Sequence, residues 1–193
     1  NSWRYGPWHR KTKITKDVNY PVLIDEEGGT VSRLTEILDN RLYSQKFVAN
    51  IYKKNKKLGV IFYTNYLFSM CNFLKLLGIN INSVPVLDIL KKRTSSIIGT
   101  RSYSSDKNLI NLMGNLCLEI YKECKVGTII KHIPGHGSAS LDSHKSTPVV
   151  SLPSKTLMKI DFGCFKNKRS FFAMTAHIIY SKLDSKNVAT HSP

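Results

Sequence analysis

Thr128-Ile129-Ile130-Lys131-His132-Ile133-Pro134-Gly135-His136-Gly137 is the stretch on which the reading of this chain turns. Its β-branched start reads as an apolar strand. The remainder mixes cationic side chains with Pro and Gly and reads as a shaped loop. The same succession recurs elsewhere. Pro21-Val22-Leu23-Ile24 stops at Asp25-Glu26-Glu27-Gly28-Gly29, Ser83-Val84-Pro85-Val86-Leu87 closes on Asp88, and Phe171-Phe172-Ala173-Met174-Thr175 runs into Ala176-His177. Each apolar run ends in polar residues.

Between these runs the period changes from extended to helical. From Gly59 to Leu77, Val60, Tyr63, Leu67, Met70, Cys71, Leu74 and Leu77 recur at helical spacing, and Gly78 stops the run. Asp106 is placed to cap a second helix, with Leu109, Leu112, Met113, Leu116 and Ile120 on one face and an end near Gly127. Such alternation predicts an α/β fold with a parallel sheet, either open or closed as a barrel. In a barrel the functional side chains come from the C-terminal strand ends. Here those positions are Asp25, Asp88, Lys131 with His132, and His177. Four strands are too few for a closed eight-stranded barrel, which takes about 250 residues.

The 193 residues carry 29 Lys and Arg against 13 Asp and Glu, a formal charge of +16, and at 41% hydrophobic the chain is too apolar to be disordered. That charge attracts anions of any kind without selecting one. The clusters Lys53-Lys54 with Lys56-Lys57, Lys91-Lys92-Arg93, and Lys166 with Lys168-Arg169 read as solvated faces. No RNP, zinc-finger or helix-turn-helix pattern accompanies them, so no specific nucleic-acid partner is expected. The longest uncharged apolar-rich run, Leu58 to Leu74, falls short of the roughly 20 residues of a membrane span. Cys71, Cys117, Cys124 and Cys164 form no Cys-x-x-Cys pair, which suits reduced thiols and a cytoplasmic location. Residues 1–20 have no sustained period and read as an irregular basic segment ahead of a domain spanning 21–193.

Downstream of the central stretch lies Asp142-Ser143-His144. In an extended segment Asp142 and His144 point to one side, so the carboxylate can orient the imidazole for acid–base work; the same tripeptide also occurs in ordinary surface loops. His132 and His136 are four apart, but Pro134 and Gly135 break the helix that would align them, so no metal is assigned. Cys117 and Cys124 lie about 10 Å apart along a helix and read as core. No glycine-rich phosphate loop is present, and no cofactor is implied.

Taken in order, Leu23 to Leu34, Pro85-Val86-Leu87-Asp88, Ile98-Gly99-Thr100-Arg101-Ser102-Tyr103, Lys131 to Gly137, Asp142-Ser143-His144 and Met174-Thr175-Ala176-His177 resemble the bacterial β-N-acetylhexosaminidases of glycoside hydrolase family 3. The resemblance runs from about Pro21 to Pro193. It implies a (β/α)8 TIM-barrel type fold, present here as about strands two to five of eight. It also implies a retaining enzyme that removes terminal N-acetylglucosamine from muropeptide or peptidoglycan fragments during cytoplasmic cell-wall recycling. By the same resemblance Asp25, Arg33, Arg101, Lys131 and His132 bind the sugar, where charged hydrogen bonds are stronger than neutral ones. His144 is the general acid/base with Asp142 as its partner, in place of the carboxylic acid usual in glycosidases. His136 shapes the loop, and His177 is open between a pocket role and packing.

Three positions depart from the family pattern: Glu26 stands where Gln is usual, Thr30 where Arg is frequent, and Thr100 where Asp is common. No residue of the chain matches the family's nucleophilic aspartate, which follows the segment that here reads Val188 to Pro193. The expectation is therefore a truncated hydrolase with doubtful turnover by itself. The alternatives are a non-catalytic sugar-binding remnant of the same family, and a nucleic-acid-binding protein resting on charge alone.

Overall fold

The computed structural model describes residues 20–92, 94–141 and 146–193. Arg93, Asp142, His144 and the segment read as irregular, apart from Tyr20, lie outside the described residues. In chain order the elements are β1 (Leu23–Ile24), α1 (Gln45–Lys54), α2 (Lys56–Leu76), β2 (Ile81–Asn82), α3 (Lys107–Glu123), β3 (Gly127–Ile133), β4 (Val149–Val150), α4 (Ser154–Lys159), β5 (Phe172–Thr175) and β6 (Ile179–Tyr180). Two 3-10 turns, Gly99–Arg101 and Phe162–Cys164, complete them.

Four strands form one parallel sheet in the order β1-β2-β3-β5, with Leu23 opposite Ile81, Ile81 opposite Gly127 and Ile129 opposite Phe172. The α/β class and the four strands follow the alternation in the sequence. The position of β2 does not. The sequence places a strand at Ser83–Asp88, whereas the ladder forms at Ile81–Asn82 and meets β3 again only at a single bridge, Val86 to Lys131. Pro85 lacks the N–H that a continuous ladder would require. Instead, the Val86 N–H donates to Gln45 Oε1 at 2.9 Å and the Leu87 N–H to the Lys131 carbonyl at 2.9 Å. The pair β4 and β6 forms a second, two-stranded parallel sheet that the sequence pattern did not disclose.

The N-termini of α1, α2 and α3 are capped by side chains. Ser44 Oγ accepts the Phe47 N–H, Asn55 Oδ1 the Leu58 N–H and Asp106 Oδ1 the Asn108 N–H. Gly78 ends α2 at φ +76°, a conformation that Cβ disfavours elsewhere. Tyr63, Leu67, Met70, Cys71 and Leu74 of α2 are buried against Ile110, Met113, Cys117 and Tyr121 of α3 in one core. Val60 and Leu77, at the two ends of α2, are exposed, as is Leu112. The buried face of α3 is centred between Met113 and Cys117, and at 100° per residue Leu112 lies roughly 120° round from it. All four cysteines are free and buried, and burial pushes Cys117 and Cys164 up to about 12, so these thiols pack rather than react.

Asn55 alone separates α1 from α2, and the two helices meet at Gly59, where a Cβ would lie 2.3 Å from Tyr52 Cα. Alanine would gain helix propensity, about 1 kcal/mol, but the obstructing atom is backbone and cannot rotate aside. We expect Gly59→Ala to destabilise the fold, since overpacking costs typically about 1–3 kcal/mol. A urea midpoint equal to or above that of the wild type would contradict this packing.

Candidate active site

The loop after β1 is folded around Glu26, whose Oε2 accepts the N–H groups of Arg33 at 2.7 Å and Leu34 at 3.1 Å while Oε1 accepts Asn40 Nδ2 at 3.0 Å. Three donors aim at two oxygens, an arrangement suited to a carboxylate; glutamine would turn an NH2 group toward a donor. The departure at Glu26 therefore has a physical reason. Asn82, buried in β2, fixes the start of the same loop by accepting the Glu26 N–H at 3.0 Å and donating to the Glu26 carbonyl at 2.8 Å. Gly28 takes φ +78°, and a Cβ there would lie 2.5 Å from the Tyr43 carbonyl.

This folding sets Glu27, almost fully buried, against two cations. Arg101 Nε and Nη2 donate to its two carboxylate oxygens at 2.8 Å each, the bidentate geometry peculiar to guanidinium. Lys131 Nζ pairs with Glu27 Oε1, and also donates to Asp25 Oδ1 at 2.9 Å and Ser83 Oγ at 2.6 Å. All three ammonium donors are thus engaged, as the burial of Lys131 at 1% exposure requires. Burial raises the Asp25 pKa, but the Ser83 and Lys131 hydrogen bonds and the charges of Lys131 and Arg33 outweigh it and hold the carboxyl below its usual value. Burial also opposes the Arg101 charge, yet Glu27, with Asp88 and Asp25 further off, raises its pKa.

A second carboxylate, Asp88, organises the end of β3. Its side chain is wholly buried and accepts His132 Nδ1 at 2.6 Å and the His136 N–H at 2.6 Å. Burial pushes Asp88 up, but these contacts bring its pKa below the usual value, so it is ionised and can only accept. His132 Nδ1 therefore carries the proton, and Nε2 faces Arg101 Nη2 at 3.4 Å as an acceptor. His132 sits at the register shift between Lys131 and Ile133 in the β3–β5 ladder.

Asp25, Arg33, Arg101, Lys131 and His132, the described residues that the resemblance assigns to sugar, all line one open cleft of about 460 Å³, together with Glu27, Thr30 and Met174. That volume falls in the range of small-molecule sites. Thr30 thus lies on the cleft wall, and Thr100 is exposed. His136 is buried with its main chain on Asp88, in keeping with a loop-shaping part. His177 is exposed, bonded through Nδ1 to Thr190 Oγ1 at 2.9 Å, and does not line this cleft. Sequence reasoning gave no site role to Glu27 or Ser83, and placed Asp88 at a functional strand end without assigning it a part. Their signal was position: Glu27 follows Asp25 by two residues at a strand end, and Asp88 closes an apolar run. Among the described residues no group of three or more His, Cys, Asp or Glu could hold a metal ion.

A partial TIM-barrel type sheet with a charged cleft at its C-terminal strand ends defines an α/β protein whose polar side chains gather where such folds carry their sites. The chain belongs to glycosyl hydrolase family 3, whose N terminal domain matches residues 10–193. It is 31% identical over 173 residues to beta-hexosaminidase A of Pseudoalteromonas piscicida, covering 86% of this chain and 28% of that protein. It is 29% identical over 180 residues to beta-hexosaminidase of Actinobacillus succinogenes, covering 90% of this chain and 51% of that protein. The fold matches NagZ from Neisseria gonorrhoeae, solved with N-trifluoroacetyl-D-glucosamine, with a TM-score of 0.81 at 22% identity over 95% of this chain and 55% of that one. The chain thus spans about half or less of the length of these relatives.

The depressed carboxyls give a pH prediction. A group whose pKa is lower folded than unfolded adds stability above its unfolded value and loses it as pH falls through the folded one. With unfolded values near 3.8 for Asp25 and Asp88, the urea midpoint should hold steady down to about pH 5 and then fall. Asp88→Asn should lower the midpoint at neutral pH and flatten that acid slope. An unchanged slope would mean that Asp88 is not ionised in the fold.

Proposed function

We propose that the protein is a retaining β-N-acetylhexosaminidase that releases terminal β-linked N-acetylglucosamine from muropeptide or peptidoglycan fragments in cytoplasmic cell-wall recycling. Residues 21–193 would supply part of its barrel, with 1–20 a basic segment ahead of it. The observation that carries this reading is the convergence of Asp25, Arg33, Arg101, Lys131 and His132 on one cleft, with Arg101 and Lys131 held by Glu27 and His132 by Asp88 before any ligand arrives. Support comes from the relatives named beta-hexosaminidase, and from the N-trifluoroacetyl-D-glucosamine in complex with the Neisseria protein. Among the described residues no helix is long and apolar enough to cross a membrane.

In this mechanism the sugar hydroxyls bind the free acceptor positions of Asp25, which is about a third exposed, and the donors of Arg33 and Arg101. Lys131, with every donor engaged, holds Asp25 and Glu27 in place and reaches a hydroxyl only by releasing a partner. His132 is presented in a single tautomer by Asp88. His144 gives its proton to the departing glycosidic oxygen and later takes one from water, oriented by Asp142. A retaining route also requires a carboxylate nucleophile across the sugar ring, a role assigned to no residue of this chain.

Release of a chromogenic phenol from an aryl N-acetyl-β-glucosaminide by the protein completed with a nucleophile-bearing remainder of the barrel, measured beside an equally purified His144→Ala variant, tests this. Turnover should fall by roughly 10² to 10⁴, the usual contribution of general acid–base catalysis. Equal turnover would remove His144 from the mechanism. Sugar binding by calorimetry without any turnover would favour the binding-only alternative.

A further inference from the structure

We propose that Lys91 and Asp161 are positioning residues for the sugar cleft, acting through the turn at 135–139 and the Asp88 carboxylate that this turn holds. The inference rests on the functional reading above and extends it to residues that do not line the cleft. Asp161, fully buried just ahead of the 3-10 turn Phe162–Cys164, accepts Lys91 Nζ at 2.6 Å and Ser138 Oγ at 2.9 and 2.8 Å. Lys91 Nζ also contacts Ser138 Oγ, so the three groups form a closed latch.

The latch has other fastenings on the same turn. Thr94 Oγ1 donates to the Gly137 carbonyl at 2.6 Å, the Ser95 N–H to the Ala139 carbonyl at 2.8 Å and the Tyr180 hydroxyl to the Gly135 carbonyl at 2.6 Å. Gly135, at φ +141°, lies so close to Asp161 that a Cβ would come within 2.9 Å of the aspartate's own. On its inner side the turn delivers the His136 N–H to Asp88 Oδ1, and Asp88 Oδ2 in turn holds His132 Nδ1. A chain of contacts therefore runs from Lys91 through Ser138, the turn and Asp88 to the cleft wall. Ion pairs, whether exposed or buried, contribute little net stability, so a directional, geometry-fixing part suits this one, in which Asp161 is buried and Lys91 partly exposed.

The test compares Lys91→Met, Lys91→Arg and Ser138→Ala with the wild type. One readout is amide hydrogen exchange at His136 by NMR, and the other is N-acetylglucosamine affinity by calorimetry. In Lys91→Met the His136 amide should exchange roughly tenfold faster while the core amides of α2 keep their protection. Sugar affinity should weaken several-fold, and Lys91→Arg should restore both. Ser138→Ala keeps the ion pair and should give a smaller shift of the same sign, which keeps the test decisive if Lys91→Met fails to fold. Unchanged His136 exchange and affinity would overturn the proposal, as would an equal loss of protection in α2, which signals general destabilisation. If the wild type itself gives no heat with the sugar, the functional reading fails, and the amide arm alone decides whether the latch holds the turn.

Discussion

Glu27 placed between Arg101 and Lys131 is the interaction on which the rest of the site depends. Two cations and two carboxylates, Glu27 and Asp25, are gathered where β1 and β3 end, and each charge there compensates another. Without Glu27, Arg101 and Lys131 would face each other across a buried wall with only Asp25 between them. Removing one partner of a buried pair costs roughly 3–5 kcal/mol because the other charge is stranded. The fold meets this constraint with the loop wound on Glu26, the glycine at Gly28 and the anchoring of the loop by Asn82. Each of these fixes where Glu27 points.

The second organising group, Asp88, shows how the same chemistry is reused. Its carboxylate collects one imidazole and the main-chain N–H groups of His132 and His136, and so converts a turn rich in Pro and Gly into a defined surface. Preorganisation of this kind suits the proposed sugar ligand, whose hydroxyls are already well solvated by water. Binding then depends on donors and acceptors that cost little to order, because they are already fixed by partners within the protein. The charge of the whole chain is of another kind. Lys53, Lys54, Lys56 and Lys57 are exposed, as expected of a solvated face, and lie on helices away from the cleft wall.

Much of this was legible in the sequence. Apolar runs closing on polar residues marked β1, β3 and β5, and the helical spacing of Tyr63, Leu67, Met70 and Leu74 marked α2. The five residues to which the resemblance gives a sugar-binding part came from its ordered motifs, and those residues meet in one cleft. What stayed hidden depends on contacts far apart in sequence. Nothing local says that Glu27 meets Arg101, 74 positions away, or that Asp88 meets His132, 44 away. The position of β2 was missed because Ser83 to Asp88 has the composition of a strand, while Pro85 removes the donor that a ladder needs. The pair β4 and β6 was missed because two-residue strands carry no period.

The most direct test of the central claim, that the Glu27-centred network is a preformed sugar wall, is the proton–nitrogen NMR signal of the Arg101 side-chain Nε–H during titration with N-acetylglucosamine. A bidentate, buried guanidinium should give a resolved signal in the free protein, protected from exchange, and that signal should shift in a saturable way as sugar is added. A signal lost to solvent exchange in the free protein, or one that stays fixed while sugar binds, would contradict the account.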